Sequence, residues 1–236
     1  MFGQAWPAVA VDTTSPVTTS PVTTTSGSTV VVFVAANSLT FAAGMITDSK
    51  GNTYSFVSNL TGPQFGYKCG LYYCENIVGG AGHTITCVNP DGTLAMSAVE
   101  LTTMQAASFD GTQSGSGTSA SLSSGNITTT ATDTLVGCGM IELGTAGTFT
   151  ATGGFTARVT AAPALFVHTM LETKDAVPSG SVGATETYSQ STDGWVMRAI
   201  AFKESSGGGG GGGQALYESS YSVLEPQTNP LTISQW

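Results

Sequence analysis

Charge is what this chain has least of. Only 9% of its 236 residues are Asp, Glu, Lys or Arg, against roughly 25% in an ordinary soluble protein. The six basic residues, Lys50, Lys68, Arg158, Lys174, Arg198 and Lys203, are scattered, and the net charge is −9. Nucleic-acid binding needs a basic stripe that displaces phosphate counterions, so that class is excluded. No apolar run approaches the ~20 residues of a membrane-spanning helix, and no membrane partner is expected. The opening residues, MFGQAWPAVAVDTT, have no basic n-region and no long apolar core, so no signal peptide is expected. Histidine is nearly absent: His83 and His168 are the two, each expected at a strand end rather than in a site. There is no G-x-S-x-G elbow and no His-Glu-x-x-His motif. Cysteine is scarce too. Cys69, Cys74, Cys87 and Cys138 lack C-x-x-C spacing and an adjacent histidine, which argues against zinc. No cofactor is expected.

Thr, Ser and Gly stand where the charges would be, and β-branched runs separate them. The organising stretch is 45–54, MITDSKGNTY. Asp48 and Asn52 can bond their own backbone and Gly51 supplies positive φ, so the segment reads as a tight turn. It resembles a calcium loop only faintly, because the further acidic ligands and the distal Glu are missing.

Taken in order, residues 1–27 read as a low-complexity leader. Ser15-Pro-Val-Thr-Thr is repeated at once as Ser20-Pro-Val-Thr-Thr, and proline every fifth residue excludes a helix or a central strand. Two readings remain: an extended linker, or an arm that docks on a neighbour through Phe2 and Trp6. A folded domain is expected over 28–204. Within it, TVVVFVAA at 29–36 has the length and continuous apolarity of a fully buried strand. Further strands are predicted at 53–58, 67–77, 83–88, 94–101 and 134–143, and a mobile Ser/Gly/Thr-rich loop at 108–128.

The clearest hairpin signal joins 67–77 to 83–88 across Gly79-Gly80-Ala81-Gly82. With Gly80-Ala81 as a two-residue turn, Cys74 falls directly opposite Cys87. A disulfide is then within reach; two buried thiols are the other outcome.

The two halves resemble each other weakly. TVVVFVAA at 29–36 matches TLVGCGMI at 134–141, GNTYSFVS at 51–58 matches GGFTARVT at 153–160, and LAMSAVEL at 94–101 matches WVMRAIAF at 195–202. The last pair places Met96 over Met197 and Ala98 over Ala199. If each half supplies about four strands, the fold is an all-β antiparallel two-sheet sandwich, jelly-roll or immunoglobulin-like, of about eight strands.

Beyond the domain comes a glycine linker at 205–213, with seven consecutive glycines at 207–213, and then a tail at 214–236. Leu216, Tyr217, Tyr221, Val223, Leu224, Leu231, Ile233 and Trp236 make this tail richer in large apolar residues than a disordered end. It is expected to dock, on its own domain or on another subunit.

The carboxylates are spread singly. Glu75, Glu100 and Glu172 fall in strand contexts, Glu75 and Glu172 at similar places in the two halves. A glycosidase needs two carboxylates across a cleft, but the aromatics that line such clefts are few here, so enzyme activity is not expected. Tyr72, Tyr73 and Trp195 are the candidate glycan platforms, with core or sheet packing the plainer role.

Together, TDSKGNTY at 47–54, GLYYCENIVGGAGHTITC at 70–87, AVEL at 98–101 and WVMRAIAFKE at 195–204 resemble the all-β modules of bacteriophage virion proteins and some bacterial surface proteins. That resemblance covers about 29–203. It implies a sandwich that decorates, cements or forms fibres on a particle, assembled in the host cytoplasm and carried on the virion. The partners it implies are other virion subunits, further copies of the chain, or a host-surface glycan bound by an adhesin module.

Overall fold

The computed structural model describes residues 1–13, 15–37, 39–88, 90, 92–142, 147–161, 167–190 and 194–205. Among them every regular element is a strand. The first half of the chain contributes β1 (Phe2–Ala5), β2 (Val9–Asp12), β3 (Val17–Thr18), β4 (Val22–Thr24), β5 (Thr29–Ala36), β6 (Ile46–Asp48), β7 (Ser55–Thr61), β8 (Lys68–Cys74), β9 (Gly80–His83), β10 (Ile85–Cys87) and β11 (Thr93–Leu101). The second contributes β12 (Met104–Gly117), β13 (Ser121–Ser123), β14 (Ile127–Thr129), β15 (Asp133–Glu142), β16 (Phe149–Ala151), β17 (Thr156–Ala161), β18 (Val167–Val177), β19 (Gly180–Val182), β20 (Thr185–Tyr188) and β21 (Trp195–Glu204).

The pairing repeats. In the first half the large sheet runs β1-β11-β5-β8-β7, with β2 also on β11; beside it lie β3-β10-β6 and β4-β9. In the second half the large sheet runs β12-β21-β15-β18-β17, beside β13-β20-β16 and β14-β19. All these pairs are antiparallel. Adding ten to a strand's number gives its counterpart, and β12 fills the place of β1 and β2. The registers agree residue by residue: Ala98 lies opposite Val32, and Ala199 opposite Gly137. The internal repeat is therefore real in the fold, and the alignment of Met96 with Met197 and Ala98 with Ala199 is the structural one, whereas that of 51–58 with 153–160 is off by one residue, Phe56 matching Ala157.

The all-β antiparallel sandwich stands, but its count and layering differ from the expectation. Each half is a sandwich by itself, and the two pack through their large sheets. Alternation along the strands makes this visible, since successive side chains face opposite sides. On β5, Val30, Val32, Val34 and Ala36 face the first small sheet, where Val17, Ile46, Ile85 and Cys87 meet them. Val31, Phe33 and Ala35 face the other large sheet and share a core with Val136, Cys138 and Met140 of β15. Leu135 and Ile141 of β15 turn to the second small sheet, against Leu122 and Tyr188. The result is four layers and three cores, with β5, β11 and β15 buried along their whole length.

Residues 1–27 are neither a linker nor an arm to a neighbour. They form four short strands of the first sandwich. Pro16 and Pro21 each stand immediately before a strand, β3 and β4, where a missing N–H removes no ladder bond. Trp6 is 1% exposed in the first core. The expected loop at 108–128 is likewise the long β12 with β13 and β14.

The expected hairpin is absent. β8 pairs with β5 and β7, while β10 pairs with β3 and β6. Cys74 thus lies opposite Val30, and Cys87 opposite Val17 and Ile46, on different sheets. All four cysteines are thiols. The glycines at 79–82 do not close a two-residue turn. Gly79 lets the leader pass, since a Cβ there would come within 2.5 Å of the Thr25 backbone, while Gly80 and Gly82 supply positive φ of 126° and 71°.

The strands belong to one compact unit, Met1–Ser206; Gly207–Trp236 is a second unit, outside the described residues. The docking expectation for Leu216, Tyr217, Tyr221, Val223, Leu224, Leu231, Ile233 and Trp236 falls there.

Candidate functional site

The turn at 48–52 builds the most connected polar cluster of the first sandwich. Asp48 ends β6. Its Oδ1 accepts from the Lys50 and Asn52 backbone N–H groups at 2.9 and 3.0 Å. Its Oδ2 accepts from Asn52 Nδ2 at 2.8 Å, Tyr54 Oη at 3.0 Å and His83 Nε2 at 2.9 Å. Burial pushes this carboxyl up, but the bonds from Asn52, His83 and Lys50 outweigh it and hold it below the usual carboxylate range. Every contact is a donor, as in a turn and not as in a cation site. Asn52 carries the pinning further, bonding both the N–H and the C=O of Val78.

His83 ends β9, as expected of it. Its Nδ1 lies 2.8 Å from Thr24 Oγ1 on β4, and Trp6 stands edge-on to the ring at 5.4 Å while donating to the His83 carbonyl at 3.1 Å. Hydroxyl, imidazole and carboxylate therefore follow one another as in a nucleophilic relay. The His83 and Asp48 side chains are fully buried and Thr24 is buried with them, so no substrate reaches the hydroxyl. The three residues come from distant parts of the sequence. They tie the leader, β6 and β9 into one piece.

The second sandwich has a different polar centre. Glu172 on β18 and Glu186 on β20 are 0% and 1% exposed, and none of their four carboxyl oxygens has a hydrogen-bond partner. Room for them comes from glycine. A Cβ on Gly137 would lie 2.5 Å from Glu172 Oε1, and one on Gly139 would lie 1.9 Å from Glu186 Oε2. The register makes Gly137 the counterpart of Val32, Glu172 of Tyr72 and Glu186 of Ile85. Burial pushes the Glu172 carboxyl up to about 9 and, with Glu172 beside it, raises Glu186 well above the ordinary value. An unpaired buried carboxylate is too costly to ionise, so the pair is held neutral.

Glu75 is not the counterpart of Glu172. It matches Asp175, since the preceding Cys74 and Lys174 lie opposite the equivalent residues Val30 and Leu135. Both acidic residues precede a residue with positive φ, Asn76 at 52° and Ala176 at 53°. Their contacts are reciprocal. Glu75 accepts from the Phe109 N–H at 2.8 Å, from Ser108 Oγ at 2.8 Å and from the Ser108 N–H, at the start of the second sandwich. Asp175 accepts from the Phe2 N–H at 2.9 Å, at the start of the first. Glu142 of β15 adds a third latch, accepting from the Gln64, Phe65 and Tyr67 N–H groups of the β7–β8 loop at 2.7, 3.1 and 2.8 Å. Arg198 crosses the same junction and donates to Ser58 Oγ at 2.7 Å.

The three aromatic candidates separate. Tyr72 is fully buried and donates to the Ala42 carbonyl at 2.8 Å, and Trp195 is buried against Gly117. Tyr73 is half-buried, stacked on Phe109 at 5.3 Å and edge-on to Phe202. They form no common platform. His168 bonds Tyr188 Oη through Nδ1 at 2.9 Å inside the second core. No protein-family model, characterised protein or solved structure matches the chain, so the functional reading rests on its own residues.

Proposed function

We propose that the protein is a structural component of a phage virion, of the capsid-decoration, head-fibre or tail-fibre type, that joins other subunits or further copies of itself. The observation that supports this best is the use of carboxylates at the junction. Glu75, Asp175 and Glu142 each hold backbone N–H groups of the opposite sandwich. Charge-assisted bonds of this kind are the strong ones. They make a stiff block of two sandwiches, which suits a building unit. The resemblance of its turn and strand motifs to virion modules points the same way.

The leader is bound within the first sandwich, so the anchoring role falls to the tail at 214–236, with its eight large apolar side chains behind seven glycines. Fully burying one such side chain contributes roughly 1.5–3 kcal/mol before ordering costs. The test compares the native mass of the full chain with that of residues 1–206. The full chain is expected to form oligomers and the truncated one to stay a folded monomer. The same oligomeric state for the two would overturn the anchor.

A further inference from the structure

Three charged side chains meet at one end of the second large sheet, next to the Phe109 that Glu75 holds. Lys203 on β21 has Asp110 of β12 on one side and Asp133 of β15 on the other. Lys203 Nζ stands 3.1 Å from Asp110 Oδ1. Asp110 sits at a bulge between Phe109 and Gly111, which turns its side chain toward that lysine. Asp133 lies directly opposite Lys203 in the ladder. The Asp110 side chain is 3% exposed, Asp133 is fully buried, and neither carboxyl oxygen of Asp133 has a hydrogen-bond partner.

The other sandwich shows that this trio is no requirement of the fold. Phe2 and Phe109 lie opposite the equivalent residues Leu101 and Phe202, so Gly3 is the counterpart of Asp110. By the same registers Ser28 matches Asp133 and Thr102 matches Lys203. Gly3 and Thr102 are still in contact, a Cβ on Gly3 falling 2.9 Å from Thr102 Cγ2. All three positions are small or neutral in one sandwich and charged in the other.

We propose that this trio is a self-modification site, in which Lys203 Nζ and Asp110 Cγ condense to an intramolecular isopeptide bond with Asp133 as the acid–base catalyst. The ammonium first returns one proton to Asp110 Oδ1 across the ion pair, leaving a neutral amine and a carboxylic acid. The amine lone pair forms the C–N bond, and negative charge develops on Oδ2. The Thr130 N–H, 2.5 Å from Oδ2, is placed to hold that charge, and Thr130 Oγ1 bonds Oδ1 at 2.6 Å. Asp133 gives its proton to the Oδ1 hydroxyl, the C–Oδ1 bond breaks and water leaves. The Asp133 carboxylate then takes the proton from the new amide nitrogen and is an acid again. No oxidant, metal or cofactor enters the balance. Burial and the neighbouring Asp110 raise Asp133 to about 7, while the Thr130 and Lys203 contacts hold Asp110 near 2 against its own burial. Asp133 is thus the carboxyl that keeps a proton near neutral pH, as the acid role requires.

The bond would join the first strand of the second sandwich to its last, so that β12 could not be peeled from β21 without breaking a covalent link. It is independent of the virion reading. Intact mass of the denatured full-length protein decides it. The expected species is lighter than the sequence mass by one water, and peptide mapping should find the Asp110 and Lys203 peptides as one branched product. Asp133→Asn is expected to leave most of the protein at full mass while its circular dichroism stays that of the wild type. Wild-type protein that keeps its full mass after prolonged incubation, with Lys203 in a linear peptide, would overturn the cross-link. Asp133→Asn protein that condenses as fast as wild type would overturn the catalytic assignment.

Discussion

At the scale of single residues, the two sandwiches differ most where polar side chains replace apolar ones. Asp48 takes five hydrogen bonds from four residues. Asp48→Ala would leave the buried His83 and Tyr54 donors without a partner, and a loss of about 3 kcal/mol or more is expected in urea unfolding. A loss under about 1 kcal/mol, the worth of one ordinary hydrogen bond, would mean the cluster is not the node described. Glu172 and Glu186 act in the opposite sense. A carboxyl whose folded pKa exceeds its unfolded one is protonated in the fold and ionised in the open chain between the two values. The fold therefore loses stability as pH rises from the ordinary glutamate value, 4.5, to about 9 at Glu172. Each pH unit in that window costs about 1.4 kcal/mol per group. Glu172→Gln with Glu186→Gln should flatten this slope in denaturant titrations across the window. An unchanged slope would remove the pair as its source.

Among the elements, the leader was the least legible part. Its prolines do break it, but into strands of two to four residues rather than out of the sheet. One signal was there: Val22-Thr-Thr-Thr matches Ile127-Thr-Thr-Thr at the same spacing of 105 that relates the strands at 29 and 134. Carried back to residue 22, the repeat already includes the leader. The continuous apolar strand at 29–36 was plain because it is buried on both faces, which needs no alternation. Glycines at 79–82 misled for a physical reason. A glycine that frees a turn and one that admits a neighbouring backbone look alike in sequence. The polar cluster of Thr24, Asp48 and His83 was illegible because its members meet only through two long-range pairings, β4 with β9 and β6 with β10. Trp6→Ala tests the leader's place directly. It should cost about 3–5 kcal/mol, as for a large aromatic removed from a core. A change below about 1 kcal/mol would return the leader to the status of a linker.

On the scale of the whole molecule, the reciprocal contacts are those of a symmetric dimer joined into one chain. Glu75 holds Phe109 as Asp175 holds Phe2, and Phe33 and its counterpart Cys138 are both buried in the central core. In a two-fold pair the same patch is used on both partners, each residue meeting the other's equivalent. Two sandwiches locked in this way should unfold together, as the proposed structural role requires. The most direct measurement is to co-express residues 1–103 and 104–206 as separate chains and determine their association and unfolding. Co-purification in equal amounts, with one cooperative transition, is predicted. Two halves that fold, stay apart and melt independently would contradict the single block on which the proposed role rests.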